Sequence, residues 1–339
     1  MLSRVAESIY WMNRYIERAE NVARFIDVNV SLTIGGSNSP ANESSLWQAL
    51  ISTTGDDDDF NDRYNGFATR ENVVRFLLFD KENSNSIYSC IMSARENARA
   101  IRQVIPGVVW EQLNKFYIFT RAAAQAGDIE AAQDFCDAVR LSSHLLTGAA
   151  DATMSTGEPW HFARLGRMLE RADKTSRIVD VQYYNLLPKS DDVGSTLDVM
   201  RWSALLRSTS ALDMYRRKYG NISPPRVAEF LILDRDFPRS IHYCVYTARK
   251  SLTSVTGCPP GTFTNSAERR LGRMNASLDY ANIDEIIANG MHEFIDHLQS
   301  QLNSIGNGIT ETFFVWGEPA NSADSEEPTQ PANQRQGSV

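Results

Sequence analysis

The sequence is poor in cysteine and has no long apolar run, and each shortage excludes a class of protein. Four cysteines occur in 339 residues, and none forms a C-x-x-C pair. A zinc or dithiol redox motif is therefore absent, and a disulfide framework is not expected. No run of 18 apolar residues occurs, so we expect no membrane span. Charges interrupt the N-terminal apolar residues, unlike in a signal peptide. The expected setting is a reduced cytoplasm.

Motifs for phosphate binding, acyl transfer and metal binding are also missing. There is no Gly-rich phosphate loop and no G-x-S-x-G. The stretch MHEFIDH places His292 and His297 five residues apart, one too many for the H-E-x-x-H zinc motif. Ferritin-like metal bundles use Glu-x-x-His on their helices, and no histidine accompanies the acidic pairs Glu17 with Glu20 and Glu170 with Asp173. We therefore expect no metal and no cofactor.

The charge balance argues against a nucleic-acid partner. Lys and Arg number 34 against 42 Asp and Glu, which gives a net charge of −8. Binding to phosphate backbones depends on clustered Lys and Arg. The last residues, 319–339, are rich in Pro, Ser, Asn and Gln, so this tail is predicted to be disordered.

An internal repeat is the most informative feature of the sequence. YIERAENVARFID at 15–27 aligns with MLERADKTSRIVD at 168–180, at an offset of 153. At an offset of 154, FLLFDKENSNSIYSCIMSAREN at 76–97 aligns with FLILDRDFPRSIHYCVYTARKS at 230–251. We interpret residues 1–155 and 156–318 as two copies of one unit.

The apolar periodicity within each copy is helical. In the first segment apolar residues recur in alternating steps of four and three from Val5 to Val30, which predicts one long amphipathic helix. Similar patterns cover 44–54, 70–79, 86–104, 108–126 and 128–149, whereas DDDDFND at 56–62 is predicted to be an acidic loop. The predicted fold is all-α, with two tandem-duplicated helical bundles packed as one pseudo-symmetric unit.

The repeated phrase contains two arginines, Arg18 and Arg171, with no acid three or four residues away on their own helix. Glu17 has Arg14 three residues away, and Glu20 has Arg24 four residues away, so ordinary helical ion pairs account for these glutamates. Arg18 and its counterpart have no such neighbour. Each needs a partner if buried, either a cross-helix acid from the Asp80 or Asp234 loop or a bound carboxylate or phosphate. The candidate binding residues are Glu17, Arg18, Arg24, Glu170, Arg171, Arg177, Asp80, Asp234, Arg95 and Arg249.

Several separated motifs carry a family resemblance. IERAENVARFIDV, FLLFDKENSNSI, SARENARAIR, WEQLN, LERADKTSRIVDV and LDRDFPRSI occur in this order over residues 1–317. Together they resemble the alpha-E family of bacterial helical domains, whose Glu-Arg motif maps here to Glu17-Arg18, with Glu170-Arg171 as the internal copy. The first loop, FDKENSNSI, departs from the family by lacking a Pro beside its Ser, which Pro238 supplies in the second copy.

The resemblance implies a helical fold and a setting in peptide chemistry. Members of the family resemble accessory partners of ATP-grasp-type amide ligases, often accompanied by a transglutaminase-like peptidase. Three hypotheses follow: a helical partner of such a ligase, an enzyme or substrate-binding subunit with an Arg-lined carboxylate or phosphate site, or a purely structural scaffold. They are separated by whether Arg18 and Arg171 line a pocket or end at buried acids.

Overall fold

The first helix, α1 (Ser3–Gly35), has 33 residues and is about 50 Å long at the usual rise per residue. The apolar stripe predicted from the sequence is its buried side and includes Ile9, Met12, Ile16 and Ile26. The computed structural model describes residues 1–35, 40–186, 196–259 and 261–315. The predicted tail, 319–339, and the predicted turn at Pro188 lie outside them.

The helices of the first half follow one another with short connections. They are α2 (Pro40–Thr54), α3 (Asp57–Tyr64), α4 (Arg70–Leu78), α5 (Ile87–Ala100), α6 (Gly107–Ala126) and α7 (Ala132–Thr153). The predicted helices at 44–54, 70–79, 86–104, 108–126 and 128–149 are therefore present, with ends shifted by a few residues.

The second half begins with another long helix. Its helices are α8 (Glu158–Leu186), α9 (Thr196–Ser208), α10 (Leu212–Tyr219), α11 (Pro224–Leu233), α12 (Ile241–Thr256), α13 (Ser266–Asp279), α14 (Ile283–Asn289) and α15 (Met291–Ile309), which ends in a π-helical turn, Thr310–Phe314. The described residues contain no strand, and the predicted all-α class is confirmed.

The two long helices pack against each other at the centre of the fold. Helices α5 and α7 pack on α1, and α6 packs on both of them. Helices α12 and α15 pack on α8, and α13 packs on both of those. Helices α2 and α9 each contact α1 and α8, and contribute Trp47 and Trp202 to the core. The face between α1 and α8 is therefore enclosed on several sides.

The predicted loop DDDDFND is wrong, because most of it forms α3. Asp57, Asp58 and Asp59 occupy the first turn of this helix, where carboxylates interact favourably with the N-terminal end of the helix dipole. Asp57 also accepts hydrogen bonds from Gln48 and Ser52 at 3.0 and 2.7 Å. The sequence reads as a solvated acidic run, but burial of Phe60 and these interactions favour a helix.

Candidate functional site

Helices α1 and α8 approach closely where Gly166 faces Tyr10. A Cβ atom at Gly166 would lie 2.4 Å from the backbone oxygen of Tyr10, a distance no side chain could occupy. The glycine therefore permits an approach that any other residue would prevent. About one turn further along α8 and two turns further along α1, the Glu and Arg side chains of the repeated phrase meet.

The arginine of the first Glu-Arg pair binds the glutamate of the second. Arg18 Nε donates to Glu170 Oε1 at 2.6 Å, and its Nη2 donates to Oε2 at 3.2 Å. Arg14 Nε donates to the same Oε2 at 2.7 Å. Arg18 also donates through Nη1 to Asn85 Oδ1 at 2.7 Å. Glu170 is 0% exposed, so its charge is balanced entirely by neighbouring cations.

The second arginine binds the first glutamate in the same manner. Arg171 Nε and Nη2 donate to Glu17 Oε1 and Oε2 at 2.8 and 2.7 Å, a bidentate pair. Arg239 Nη1 donates to Glu17 Oε1 at 3.1 Å. The backbone oxygen of Pro238 accepts from Arg171 Nη1 at 3.3 Å. Each Glu-Arg pair therefore exchanges its partner with the other across the helix contact.

Two expectations from the sequence need correction here. The acids that bind Arg18 and Arg171 are Glu170 and Glu17, not the loop residues Asp80 and Asp234. Asp80 instead pairs with Arg63 at 3.2 Å, and Asp234 pairs with Lys218 at 2.6 Å while accepting from two backbone N–H groups of its own loop. Both aspartates accept backbone hydrogen bonds in the loops before α5 and α12, and so stabilise those loops.

The expected helical pair of Glu17 with Arg14 is also replaced, since Arg14 crosses to Glu170. In this position Arg14 compensates the charge of Glu170, which is 0% exposed and would be very costly without a partner. The pair of Glu20 with Arg24 forms as expected, at 2.7 Å. Its counterpart in α8 is the pair of Asp173 with Arg177, at 3.1 Å.

Sequence reasoning missed the residue that joins the two glutamates of α1. Arg239 lies just before α12, is 8% exposed, and binds Glu20 as well as Glu17 and Asn21. At the repeat offset of 154 it corresponds to Asn85, which contacts Arg18. The sequence signal that could have identified Arg239 is its alignment with Asn85. Each of the two residues directly precedes a serine, Ser86 or Ser240, that caps α5 or α12.

Electrostatics keep the buried carboxylates ionised. Burial raises the pKa of Glu170, but the charges of Arg18 and Arg14 outweigh it and hold the pKa below its ordinary value. The same balance lowers the pKa of Glu17 through Arg171 and Arg239. The network has four carboxylates, on Glu17, Glu20, Glu170 and Asp173. More cations than carboxylates pair within it, and they are Arg14, Arg18, Arg24, Arg171, Lys174, Arg177 and Arg239. We call this set the Glu-Arg network.

The remaining candidate arginines, Arg95 and Arg249, lie away from the Glu-Arg network. Arg95 Nε donates to Asn114 at 2.8 Å, and its guanidinium lies 4.7 Å from the ring centre of Tyr117. Arg249 lines a separate cavity between α12 and α13. The structure therefore brings together the motif arginines but not all four arginines in one cleft.

The cysteines and histidines of the described chain do not form a metal site. No group of three or more His, Cys, Asp or Glu side chains among the described residues could hold a metal ion. Cys90 and Cys244 are fully buried, as predicted, and burial raises the pKa of each thiol to about 12. His292 contacts Asp180 at 2.6 Å, and His297 contacts Gln301 at 2.9 Å. Within the same residues, no helix is long and apolar enough to cross a membrane.

Comparison with known proteins identifies relatives over most of the chain. Proteins from Mycobacterium bovis and two strains of Mycobacterium tuberculosis, each described as an uncharacterized protein, are 22% identical over 334 residues. The match covers 91% of this chain but 36% of each relative, so the chain spans about a third of their length. No solved structure matches.

A family model gives the more general result. The model of Alpha-E, a family described as a predicted alpha-helical domain with a conserved ER motif, matches residues 1–314. This range contains both Glu-Arg pairs and the helices that bury them. Because the match covers far more than half of its length, the chain belongs to the Alpha-E family.

Proposed function

We propose that this protein is a helical partner of an ATP-grasp-type amide ligase, acting in the ATP-dependent formation or modification of peptide or amide bonds in the cytoplasm. The observation that carries the proposal is the exchange of partners by Glu17, Arg18, Glu170 and Arg171. The motif side chains that could have bound a substrate are saturated by one another. Their role is then to hold α1 and α8 together, and the binding of a partner depends on the surfaces that these two helices position.

The lengths of the relatives support a partner role. In each mycobacterial relative the matched region is 36% of the protein, so this helical domain there forms one polypeptide with a much larger remainder. This arrangement fits a helical domain that acts beside a separate domain, and that separate domain carries the catalytic activity. That the second domain is an ATP-grasp-type ligase, accompanied by a transglutaminase-like peptidase, rests on the family resemblance.

We further propose that residues 1–155 and 156–318 are two copies of one unit, packed with pseudo-twofold symmetry. Reciprocal contacts support this arrangement, because in a twofold contact residue i meets j and residue j meets i. The exchange of Arg18 with Glu170 and Arg171 with Glu17 follows this pattern. So does the matched packing of α5 and α7 on α1 and of α12 and α15 on α8.

Co-purification tests the partner role. The tagged chain and a candidate ATP-grasp-type ligase from the same genome are co-expressed and passed over an affinity resin and a sizing column at micromolar concentration. We expect a complex that persists through both steps and a ligase activity that rises with added chain. A chain that elutes alone and leaves ligase activity unchanged contradicts the proposal.

The two other hypotheses predict different results in the same assay. If the protein is a structural scaffold held by the Glu-Arg network, Arg18→Met should weaken the complex only in proportion to the fraction of the chain that it unfolds. A substrate-binding subunit would bind a small ligand without the ligase. This second candidate is favoured by the cavity at Arg249, whose arginine has no acidic partner among the described residues.

A further inference from the structure

The cavity at Arg249 has a volume of about 340 Å³ and lies between α12, α13 and the segment that joins them. This volume is at the small end of the range for ligand pockets, about 300–1,000 Å³. Arg249 forms one wall, and Phe263, which is 57% exposed, forms another. Arg269 and Arg273 lie on α13 at the same cavity.

The cavity lies where larger residues of the first half correspond to smaller residues of the second half. Arg249 corresponds to Arg95 at the offset of 154. Around Arg95 the space is filled by Trp110, Asn114 and Tyr117. Aligning the buried Leu113 of α6 with the buried Leu271 of α13 gives an offset of 158.

At that offset Trp110, Asn114 and Tyr117 correspond to Glu268, Gly272 and Asn275. All three of these line the cavity. Gly272 has no side chain to accept the hydrogen bond that Asn114 accepts from Arg95. The sequence change therefore opens space and at the same time frees a guanidinium to face it.

The cavity carries excess positive charge. Arg249, Arg269 and Arg273 form no ion pair within the part of the chain that the structure describes. Two carboxylates also line the cavity, and both already interact with neighbouring side chains. Glu268 accepts from the backbone N–H and hydroxyl of Thr264 at 2.6 and 2.9 Å and from the Thr256 hydroxyl. Asp279 accepts from Asn275 at 2.6 Å, contacts His242 at 3.0 Å and lies 3.5 Å from Arg235.

A neutral acceptor completes the site. Asn275 is 1% exposed, and its Nδ2 must face Asp279, since a carboxylate only accepts. Its Oδ1 is buried and accepts no hydrogen bond from the described residues. A buried polar atom without a partner is costly, so a ligand N–H would be a favourable neighbour. The cavity thus offers a guanidinium for an oxyanion, an acceptor for an N–H group and an aromatic wall.

We propose that this cavity binds the carboxylate end of an N-acylated amino acid or short peptide, with the carboxylate at Arg249 and the adjacent amide N–H at Asn275. Arg binds carboxylates through charge-assisted hydrogen bonds. The apolar wall at Phe263 accommodates the side chain of the ligand. This proposal does not depend on a ligase partner, because the site lies within one chain.

The test uses the purified chain and a panel of N-acetyl amino acids, each with its C-terminal amide and its N-methylated analogue, and inorganic phosphate. Binding is measured by calorimetry and ligand-observed NMR. We expect at least one N-acetyl amino acid to bind with a Kd of about 1 mM or tighter. The amide analogue, which lacks the carboxylate, and the N-methyl analogue, which lacks the N–H, should each bind at least about tenfold more weakly.

Two variants locate the site. Gly272→Asn restores the residue found at Asn114 and has open space for a side chain, so it should fold and should lower affinity by about tenfold or more. Arg249→Met should do the same. Gly148→Asn, also at a helical glycine with open space, is the matched control and should bind normally.

Three outcomes overturn the proposal. They are the absence of binding by every N-acetyl amino acid at millimolar concentration, phosphate that displaces the ligand with equal affinity, and unchanged binding in Gly272→Asn. None of these results bears on complex formation with a ligase, so the two proposals fail independently.

Discussion

Arg18 and Glu170 are 152 residues apart in the chain and form a buried ion pair of 2.6 Å. Adjacent residues of a helix point in different directions, so the Glu and Arg of one Glu-Arg pair do not face each other. In the structure each binds the opposite member of the other pair across the contact between α1 and α8. This relationship explains why the sequence contains the phrase twice at a constant offset.

The exchange pairs are expected to couple strongly in stability. Arg171→Met and Glu17→Gln should each lower the free energy of unfolding by about 3–5 kcal/mol, because each removes one partner of a buried ion pair. The double variant should be more stable than the sum predicts, with a coupling energy of about 1–3 kcal/mol. Urea unfolding of the four proteins gives this value.

The matched control is the exposed pair of Glu71 and Arg75 on α4, which lie 3.3 Å apart. The same cycle there should give a coupling of about 0.3–0.5 kcal/mol. If the substitutions at Arg171 and Glu17 are additive, the Glu-Arg network does not hold the two helices together.

Arg14 and Arg167 directly precede the two copies of the repeated phrase and match at the offset of 153, but they have different surroundings. Arg14 Nε donates to Glu170. Arg167 Nε is buried and has no hydrogen-bond partner among the described residues, and the nearest carboxylate oxygen in an ion pair, on Asp151, is 4.0 Å away. Burial and the charge of Arg171 lower the pKa of Arg167.

We therefore expect opposite results from the same substitution. Arg14→Met should cost about 1.5–3 kcal/mol, the value of a hydrogen bond to a charged group. Arg167→Met should be neutral within about 0.5 kcal/mol or stabilising, since it removes a buried donor that lacks a partner. Chemical denaturation measures both, and equal losses would contradict this account.

The helical class and the buried stripe of α1 could be predicted because periodicity alone determines them. It could also be predicted that a buried Arg18 would need an acidic partner. The identity of that acid could not be predicted, because local rules favour residues three or four apart and cannot rank a contact 152 residues away. The role of Arg239 was hidden for the same reason, since it comes from a loop. The helix α3 was missed because its acidic turn reads as solvated until the burial of Phe60 is known.

Acid should destabilise the fold through the Glu-Arg network. The pKa of Glu170 is held below its ordinary value of 4.5 despite burial, by Arg18 and Arg14. A lowered pKa in the folded state means that its stabilising contribution is complete above the unfolded value. The contribution is lost as the pH falls from about 5 through 4.5 toward the folded pKa.

Urea unfolding between about pH 3.5 and 7 should show this loss. Glu170→Gln should be less stable at neutral pH and should have a flatter dependence below pH 5, because the titrating group is gone. Glu71→Gln, at an exposed position, should retain the steep dependence. A Glu170→Gln profile parallel to that of the unaltered protein would contradict the assignment.

The close crossing of α1 and α8 depends on Gly166. A Cβ there would lie 2.4 Å from the backbone oxygen and 3.2 Å from Cδ2 of Tyr10, and a backbone atom cannot rotate away as a side chain does. The two helices would have to separate, which should cost about 1–3 kcal/mol, as for other overpacked cores. Separation would also lengthen the bonds from Arg18 and Arg171.

Gly166→Ala should thus reduce both the stability and the coupling energy of the Arg171 and Glu17 cycle measured in the same background. Gly148→Ala, in α7 with no atom within 4 Å of the new Cβ, is the control. It should gain about 0.5–1 kcal/mol from the higher helix propensity of Ala. A Gly166→Ala variant with unaltered stability and coupling would mean that the helices can move apart without loss. The Glu-Arg network would then tolerate a looser contact than the close crossing at Gly166.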